Sequence, residues 1–338
     1  MENKKDMKHY KSENYYFMIK EFGSEKNSEK SPLNLYHYTS PNAFLSILKN
    51  KALRFTDARY MNDKSETLYF LKVLVEFVEN RPNTYPLFNE AVNELLKGNS
   101  FEGIKSLSLN EVIFNEVPKL PYKPSRHFLF CMCSECDSLN MWNYYVNNGF
   151  YEGYNIGFNI EKLLNTFKVE EENVVDAFLV YHGKVLYKEK QQMLEIEQLA
   201  KTIESKRNNW EDKALSYAIL KLRSYIDAQG LFFKSNKFES ENEYRIVICI
   251  ADERIAHSEH ESRKYLGYNN KKMYEDFCVK RGLIVPYLNV VVPQEAISRI
   301  TVSPITEFDI AKKSIKELLL ASGYSSVPIY QSRIPIRF

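Results

Sequence analysis

The chain has 338 residues, of which 44% are apolar and 27% are charged. This composition is typical of a soluble globular protein with a sizeable core. The net charge of +2 excludes a strong whole-protein attraction to nucleic acid or membrane, although it allows a local basic patch. No apolar run approaches the roughly 20 residues that span a bilayer, and residues 1–30 lack the apolar core of a signal peptide. We therefore expect a cytoplasmic protein with no membrane association.

The cysteines indicate free thiols, because an odd count of five without a secretion signal argues against disulfides. The spacing Cys131-x-Cys133-x-x-Cys136 resembles half of a zinc site, but no second ligand pair follows at a usual spacing. Residues 127–133 alternate like a strand, so Cys131 and Cys133 are expected to pack as small hydrophobic side chains. We therefore predict no metal site.

The predicted elements describe a polar N-terminal tail over residues 1–30 and one α+β domain over residues 31–338. Mostly helical insertions are expected at about 81–120 and 189–228. Strand patterns occur at 33–39, 52–56, 127–133, 154–158, 174–187, 246–250, 283–292, 297–302 and 327–330. Helix patterns occur at 41–51, 64–80, 139–145 and 307–321. The first of these helices has Ser40 as its N-cap and Pro41 at its first position.

The run Glu-Asn-Glu-Tyr-Arg at 241–245 leads directly into five apolar residues, Ile246–Ile250. That run predicts a strand buried on both faces. Since a strand repeats every two residues, Glu241, Glu243 and Arg245 are expected on one face at its start. Burying charge is costly without partners or a ligand. Two interpretations follow: an ion-pair cluster at a sheet rim, or a catalytic glutamate directed into a cleft.

Three further segments carry polar or aromatic side chains where a ligand could bind. His37 lies in a strand between two tyrosines, and a functional histidine there would hold a ligand through its ring nitrogens. In the polar turn at 57–63, Tyr60 offers a stacking face and Asn62 could stabilise the turn. Met141, Trp142 and Tyr145 share one side of a short helix, for which core packing is the default interpretation.

The order of these motifs resembles a widespread bacterial family of unknown function. The residues that carry the resemblance are Tyr36-His-Tyr-Thr39, Leu53-Arg-Phe-Thr56, Met141-Trp142, Tyr154-Asn-Ile-Gly-Phe158 and Glu241-Asn-Glu-Tyr-Arg245. That family is in turn similar to a divergent branch of the ADP-ribosyltransferases, the His-Tyr-Glu class. The resemblance implies an α+β fold with a split, mostly antiparallel sheet and helical insertions.

The resemblance also implies where NAD, the substrate, would bind. His37 would hold the adenosine-side ribose, while Tyr38 and Thr39 complete the first-strand motif and Thr39 helps to hold the nicotinamide amide. An aromatic side chain would stack on the nicotinamide ring. At the family's first stacking tyrosine this chain has Phe55 or Arg54, so the implied nicotinamide-side residues are Phe55, Tyr60, Asn62 and Tyr69.

The catalytic roles implied by the resemblance fall on the Glu-x-Glu strand. Glu243 would stabilise the positive charge that develops on the ribose as nicotinamide leaves. Glu241 would orient or deprotonate the acceptor. Arg245 would pair with a carboxylate or reach the pyrophosphate.

The expected function is therefore mono-ADP-ribosylation of RNA, DNA or protein by a bacterial toxin or anti-phage effector, with an antitoxin or chaperone as a further partner. Three alternatives stay open at this stage. Water could be the acceptor, as in an NAD glycohydrolase. The fold could serve as a non-catalytic module that binds a nucleotide or a partner. A metal-dependent nuclease using Glu241, Glu243 and Asp63 would need a better carboxylate set than this chain offers.

Overall fold

A computed structural model describes most of the chain. The described residues are 18–22, 33–61, 65–97, 125–146, 150–167, 179–210, 213–251, 273–280, 282–324 and 327–336. Within them, no helix has the length and apolar character needed to cross a membrane.

Strands and helices are mixed along the chain in an α+β arrangement. The strands are β1 (Met18–Glu21), β2 (Asn34–Thr39), β3 (Ala52–Asp57), β4 (Ser125–Cys133), β5 (Tyr154–Asn159), β6 (Leu179–Lys184), β7 (Glu243–Ala251), β8 (Met273–Lys280), β9 (Leu283–Val291), β10 (Ile297–Val302) and β11 (Ile329–Gln331). The helices are α1 (Pro41–Asn50), α2 (Ser65–Glu79), α3 (Pro86–Leu95), α4 (Leu139–Tyr145), α5 (Ile160–Leu164), α6 (Glu189–Glu204), α7 (Arg207–Trp210), α8 (Ala214–Ala228) and α9 (Phe308–Ala321).

These strands form one 11-stranded sheet that branches at β4. The longer path runs β1-β6-β7-β4-β2-β5-β10-β11, and the second branch runs from β4 through β3 and β9 to β8. Only the β1–β6 and β10–β11 pairs of the described strands are parallel. The predicted α+β class with a mostly antiparallel sheet is confirmed.

The branch point lies on one edge of β4. Its other edge pairs with β7 over its whole length, from Ser125 to Cys133. On the branching edge, β3 pairs with Phe128 and Leu129, whereas β2 pairs only at Cys133. The backbone of residues 130–132 therefore lies in the fork between two diverging strands. Such a fork leaves main-chain groups that need other partners.

Each face of the sheet packs against its own set of helices. Helices α2, α3, α6 and α8 cover the face that carries Val247 and Cys249, whereas α1, α5 and α9 cover the face that carries Ile246 and Ile248. All residues from Ile246 to Ile250 are buried. The prediction of a strand buried on both faces is confirmed, and its cause is this double helical cover.

Local signals in the sequence placed most of the elements correctly. Ser40 caps α1 by accepting a hydrogen bond from the backbone N–H of Ala43. Within the predicted tail over 1–30, residues 18–21 pair with β6 and Phe22 stacks on Phe232. Strand β8 was not predicted, since acidic residues interrupt its apolar pattern. Most of the 81–120 insertion lies outside the described residues.

Candidate functional site

The charged residues at 241–245 are arranged by a turn rather than by strand alternation. Residues 236–241 form a short 3-10 helix, Asn242 adopts a left-handed conformation with φ of 43°, and β7 begins only at Glu243. Glu241 therefore does not lie on the strand. This corrects the expectation that alternation alone places Glu241 and Glu243 on one face.

The two carboxylates are nevertheless held together by buried cations. The ammonium group of Lys234 forms an ion pair with Glu241 and lies 3.4 Å from Oε2 of Glu243. The Arg245 guanidinium donates to the same Oε2 at 2.7 Å. Lys234, Glu241, Glu243 and Arg245 are called the charged cluster below. Its two positive and two negative groups balance, which explains how they can be buried.

The carboxylate of Glu243 has a strongly shifted pKa. Burial raises its pKa, but the charges of Arg245 and Lys234 outweigh burial and lower the pKa from 4.5 to about 2. A hydrogen bond from the Cys131 thiol acts in the same direction. Glu243 is therefore ionised at every physiological pH.

Hydrogen bonds with the surrounding backbone hold the two cations of the charged cluster in position. Arg245 is fully buried and also donates to the backbone carbonyl of Leu231. Gln192 of α6 donates from Nε2 to the carbonyl oxygens of Leu186, at 2.7 Å, and Lys234, at 2.9 Å. Helix α6, which belongs to the predicted 189–228 insertion, thus holds the backbone from which Lys234 extends. Since Arg245 has no exposed surface, the sequence-based role of reaching a pyrophosphate does not fit this arrangement.

Two tyrosines complete the surroundings of the charged cluster. Tyr187 accepts a hydrogen bond from the Glu243 backbone N–H at 3.1 Å. Tyr145 donates to Oε1 of Glu241 at 2.7 Å and is 42% exposed. Burial and the nearby carboxylates raise the pKa of both phenols. Tyr145 therefore links the charged cluster to solvent, although the sequence predicted that it packs in the core. Met141 and Trp142 of the same helix are buried, as predicted.

Sequence reasoning missed Lys234 and Tyr187 altogether. Lys234 follows the apolar run Leu231-Phe232-Phe233, and a lysine directly after buried residues signals a cation in need of a partner. No comparable signal marked Tyr187, because its partner is a backbone group 56 residues away.

His37 lies in the fork, on the opposite side of β4 from Glu243. Its Nδ1 is 3.1 Å from the carbonyl oxygen of Cys131, and its ring packs 4.6 Å from that of Phe130. Since a carbonyl can only accept, Nδ1 carries the hydrogen and Nε2 is left as an acceptor. Burial lowers the pKa of His37 to about 4, so the ring is neutral at pH 7. Phe130 and Glu243 point to opposite faces of the sheet.

The neighbours of His37 in β2 are engaged in the protein itself. Tyr38 is buried, donates to the carbonyl of Glu135 at 2.9 Å and accepts from the Ser138 N–H at 2.9 Å. Thr39 is buried at the end of the strand. Tyr38 therefore anchors the segment before α4, and a ligand contact through its hydroxyl would have to displace one of these bonds.

The candidates for a stacking aromatic differ in exposure. Phe55 is fully buried, with its ring centroid 5.3 Å from that of Phe130 and 6.0 Å from that of Phe167. It packs as core and offers no face to a ligand here. Tyr69 is partly buried and donates to Gln192 at 3.0 Å. Tyr60 is 38% exposed and is the most accessible of the three. Asn62 lies outside the described residues.

The described residues contain no group of three or more histidine, cysteine or acidic side chains arranged to hold a metal ion. Cys133 is buried, and burial raises the pKa of its thiol to about 12. Its packing agrees with the prediction of a small hydrophobic side chain. Asp63, the third carboxylate of the nuclease alternative, lies outside the described residues.

Comparison with known proteins yields one match. Residues 141–246 fit the model of a family described as "Protein of unknown function (DUF2971)". No curated protein and no solved structure matches the chain. The matched region contains the whole charged cluster with Tyr145 and Tyr187, but not His37. Nothing in these comparisons links the chain to ADP-ribosyltransferases.

Proposed function

We propose that this protein is an NAD-dependent mono-ADP-ribosyltransferase that modifies RNA, DNA or protein, with Glu243 as the catalytic carboxylate. The observation that carries the proposal is an ionised glutamate at the start of a buried strand, one strand away from the fork that holds His37. The setting we propose with it is a bacterial toxin or anti-phage effector restrained by an antitoxin or chaperone.

The charge state of Glu243 suits the chemistry of glycosyl transfer from NAD. The bond between the ribose C1′ and the nicotinamide nitrogen breaks, nicotinamide leaves with the bonding electrons, and positive charge spreads over C1′ and the ring oxygen. A carboxylate that is ionised before the reaction stabilises that charge without reorganisation. An acceptor nucleophile then bonds to C1′ and loses its proton, for which Glu241, next to the half-exposed Tyr145, is the nearest base in the charged cluster.

His37 supports the proposal through its tautomer. A bare Nε2 accepts a hydrogen bond, and a ribose hydroxyl is a suitable donor. Because His37 and Glu243 lie on opposite sides of β4, the role of His37 is separable from that of Glu243 by experiment.

The test is incubation of the purified protein with labelled NAD and bacterial lysate, with nicotinamide release and label transfer measured together. We expect label on a macromolecule for the wild type and none for Glu243→Gln. Glu239→Gln, an exposed glutamate in the adjacent 3-10 helix, is the matched control and should retain activity. Free labelled ADP-ribose without a labelled macromolecule would instead indicate an NAD glycohydrolase.

Tyr145 provides a second test within the same assay. Tyr145→Phe removes the hydrogen bond to Glu241, and loss of an acid–base contact of this kind should slow transfer by roughly 10- to 100-fold. Tyr144→Phe changes the neighbouring, more exposed ring of the same helix and should have no effect. Equal activity of the two variants would remove Glu241 from the mechanism.

A non-catalytic binding module is the second candidate, and one observation favours it. Oε2 of Glu243 already has both Arg245 and Lys234 as partners, so a structural ion cluster also explains its burial. This candidate predicts that a nucleotide raises the melting temperature without any nicotinamide release. The binding module would be supported if the wild type shows no turnover and Glu243→Gln keeps the rise in melting temperature.

A further inference from the structure

Arg299 of β10 lies beside two tyrosine side chains, four strands away from β7 in the sheet. Its guanidinium carbon is 4.2 Å from the ring centroid of Tyr330, and its side chain lies next to that of Tyr36 of β2 above Gly157. A tyrosine hydroxyl can donate its hydrogen to an acceptor that binds beside the guanidinium.

The chain makes specific room for this arrangement at Gly157. Gly157 of β5 lies between Tyr36 and Arg299 in the sheet register. A Cβ at this position would lie 2.6 Å from Cγ of Arg299 and 3.1 Å from Cε1 of Tyr36. Real Cβ atoms essentially never lie within 3.0 Å of another atom, so the contact with Arg299 would force a shift. Glycine therefore allows the two side chains to meet above β5.

Arg299 carries an unsatisfied donor in this position. Its Nε is buried and has no hydrogen-bond partner among the described residues. Within the same part of the chain, no carboxylate forms an ion pair with it. The hydroxyl of Ser298 is buried without a partner and lies 3.1 Å from the same Cβ position of Gly157. A buried N–H on a cationic group is costly unless an acceptor completes it.

We propose that Arg299, with the Tyr36 hydroxyl, is a binding site for a phosphate oxyanion. The Nε–H and one Nη–H of a guanidinium form a fork that matches two phosphate oxygens, and stacking on Tyr330 holds the fork in place. The rings beside Arg299 reach the surface, because Tyr330 is 46% exposed and Tyr36 is only partly buried. Burial raises the pKa of Tyr36, although Arg299 opposes this, so its hydroxyl keeps the hydrogen that it donates.

This site is separate from the charged cluster. In the register of the sheet, Cys133 of β4 lies between Glu243 and Tyr36. Cys133 is fully buried and packs in one cluster with Met141 and Trp142 of α4. Helix α4 therefore lies between the two sites. The oxyanion site does not depend on the proposed transferase activity, and either can fail without the other.

The phosphate group could belong to a nucleoside diphosphate or to a nucleic-acid backbone. Three probes distinguish these sources: inorganic pyrophosphate, ADP-ribose and a short single-stranded oligonucleotide. The readout is the ¹⁵Nε–¹H NMR signal of Arg299 in the full-length protein. This signal is assigned by its loss in an Arg299 variant, and its measurement needs no enzyme activity. A probe that supplies an acceptor to Nε should move this signal and leave that of the exposed Arg333 in place.

Variants give the matching affinity measurement. Arg299→Gln should weaken binding of the effective probe by about tenfold or more, and Arg299→Lys should rescue only part of it because it lacks the fork. Arg333→Gln is the control and should bind like the wild type. Gly157→Ala should weaken binding without removing any charged group.

Two results would overturn the inference. One is an Arg299 Nε signal that stays in place at saturating concentrations of all three probes. The other is unchanged affinity in Arg299→Gln. The NMR measurement on the wild type decides the question even where a variant fails to fold.

Discussion

His37 and Glu243 meet at one residue, Cys131, from the two sides of strand β4. His37 donates from Nδ1 to the Cys131 carbonyl at 3.1 Å, and the Cys131 thiol helps to lower the pKa of the Glu243 carboxylate. The carbonyl needs this donor because β2 and β3 diverge there. The histidine and the glutamate are therefore neighbours through one residue of β4, although they do not face each other directly.

Glu243 should matter for stability as well as for activity. Glu243→Gln leaves the fully buried Arg245 without a counter-charge, and breaking a buried pair in this way costs about 3 kcal/mol. Glu239→Gln breaks only an exposed pair with Lys188 and should change the free energy of unfolding by less than about 0.5 kcal/mol. Urea unfolding at pH 7 measures both. Equal stabilities for the two variants would contradict the burial of the charged cluster.

The same carboxylate should make the protein sensitive to acid. The folded-state pKa of Glu243 is about 2, below its ordinary value of 4.5. Its stabilising contribution is therefore complete above pH 4.5 and is lost as the pH falls towards 2. The linked free energy is about 3 kcal/mol. Unfolding experiments from pH 6 to pH 2 should show a weaker pH dependence for Glu243→Gln than for the wild type.

His37 should affect the pH dependence of stability at a higher pH than Glu243 does. Burial lowers its pKa from 6.5 to about 4, so an unfolded chain takes up the proton first as the pH falls. Stability is therefore lost between pH 6.5 and pH 4, by about 2 kcal/mol at pH 5. In His37→Asn, the difference in unfolding free energy between pH 7 and pH 5 should shrink by that amount. His127, whose pKa burial also lowers to about 4, adds to this loss, whereas Asp227, whose pKa burial raises to about 7, acts with the opposite sign.

Gln192 should be the stabilising residue of helix α6. Gln192→Leu removes two donors to backbone carbonyls and an acceptor for Tyr69, so we expect a loss of about 2 kcal/mol. Gln191→Leu alters the exposed neighbour and should change stability by less than about 0.5 kcal/mol. Chemical denaturation compares the two. A fall in nicotinamide release for Gln192→Leu would add evidence that α6 positions Lys234.

The charged cluster shows which of its features the local sequence pattern could predict. The apolar run after Arg245 correctly predicted a buried strand, and the polar residues before it correctly marked a cluster of charge. Alternation then misplaced Glu241, because Asn242 adopts a left-handed conformation and the strand begins only at Glu243. Lys234 was missed, since its proximity to Glu243 depends on how the 3-10 helix folds back.

The candidates for the stacking aromatic show that the local pattern does not predict whether a side chain is exposed. Phe55 and Tyr60 both lie in a segment that local pattern identifies as a strand followed by a turn. Only packing distinguishes them, because Phe55 is enclosed by Phe130 and Phe167 while Tyr60 reaches solvent. Whether a ring is enclosed depends on residues far away in the chain.

The family resemblance implied the mostly antiparallel sheet. The residues alone were enough to predict the α+β class, the cap of α1 and the concentration of charge before Ile246, because these features depend on periodicity and on neighbours within a few residues. The positions of β2 and β3 at the fork, of His37 and Glu243 on opposite sides of β4, and of Arg299 beside Tyr36 above Gly157 became visible only in the folded sheet. Each of these depends on strand order and register, and many pairings of the same strands satisfy the same local pattern.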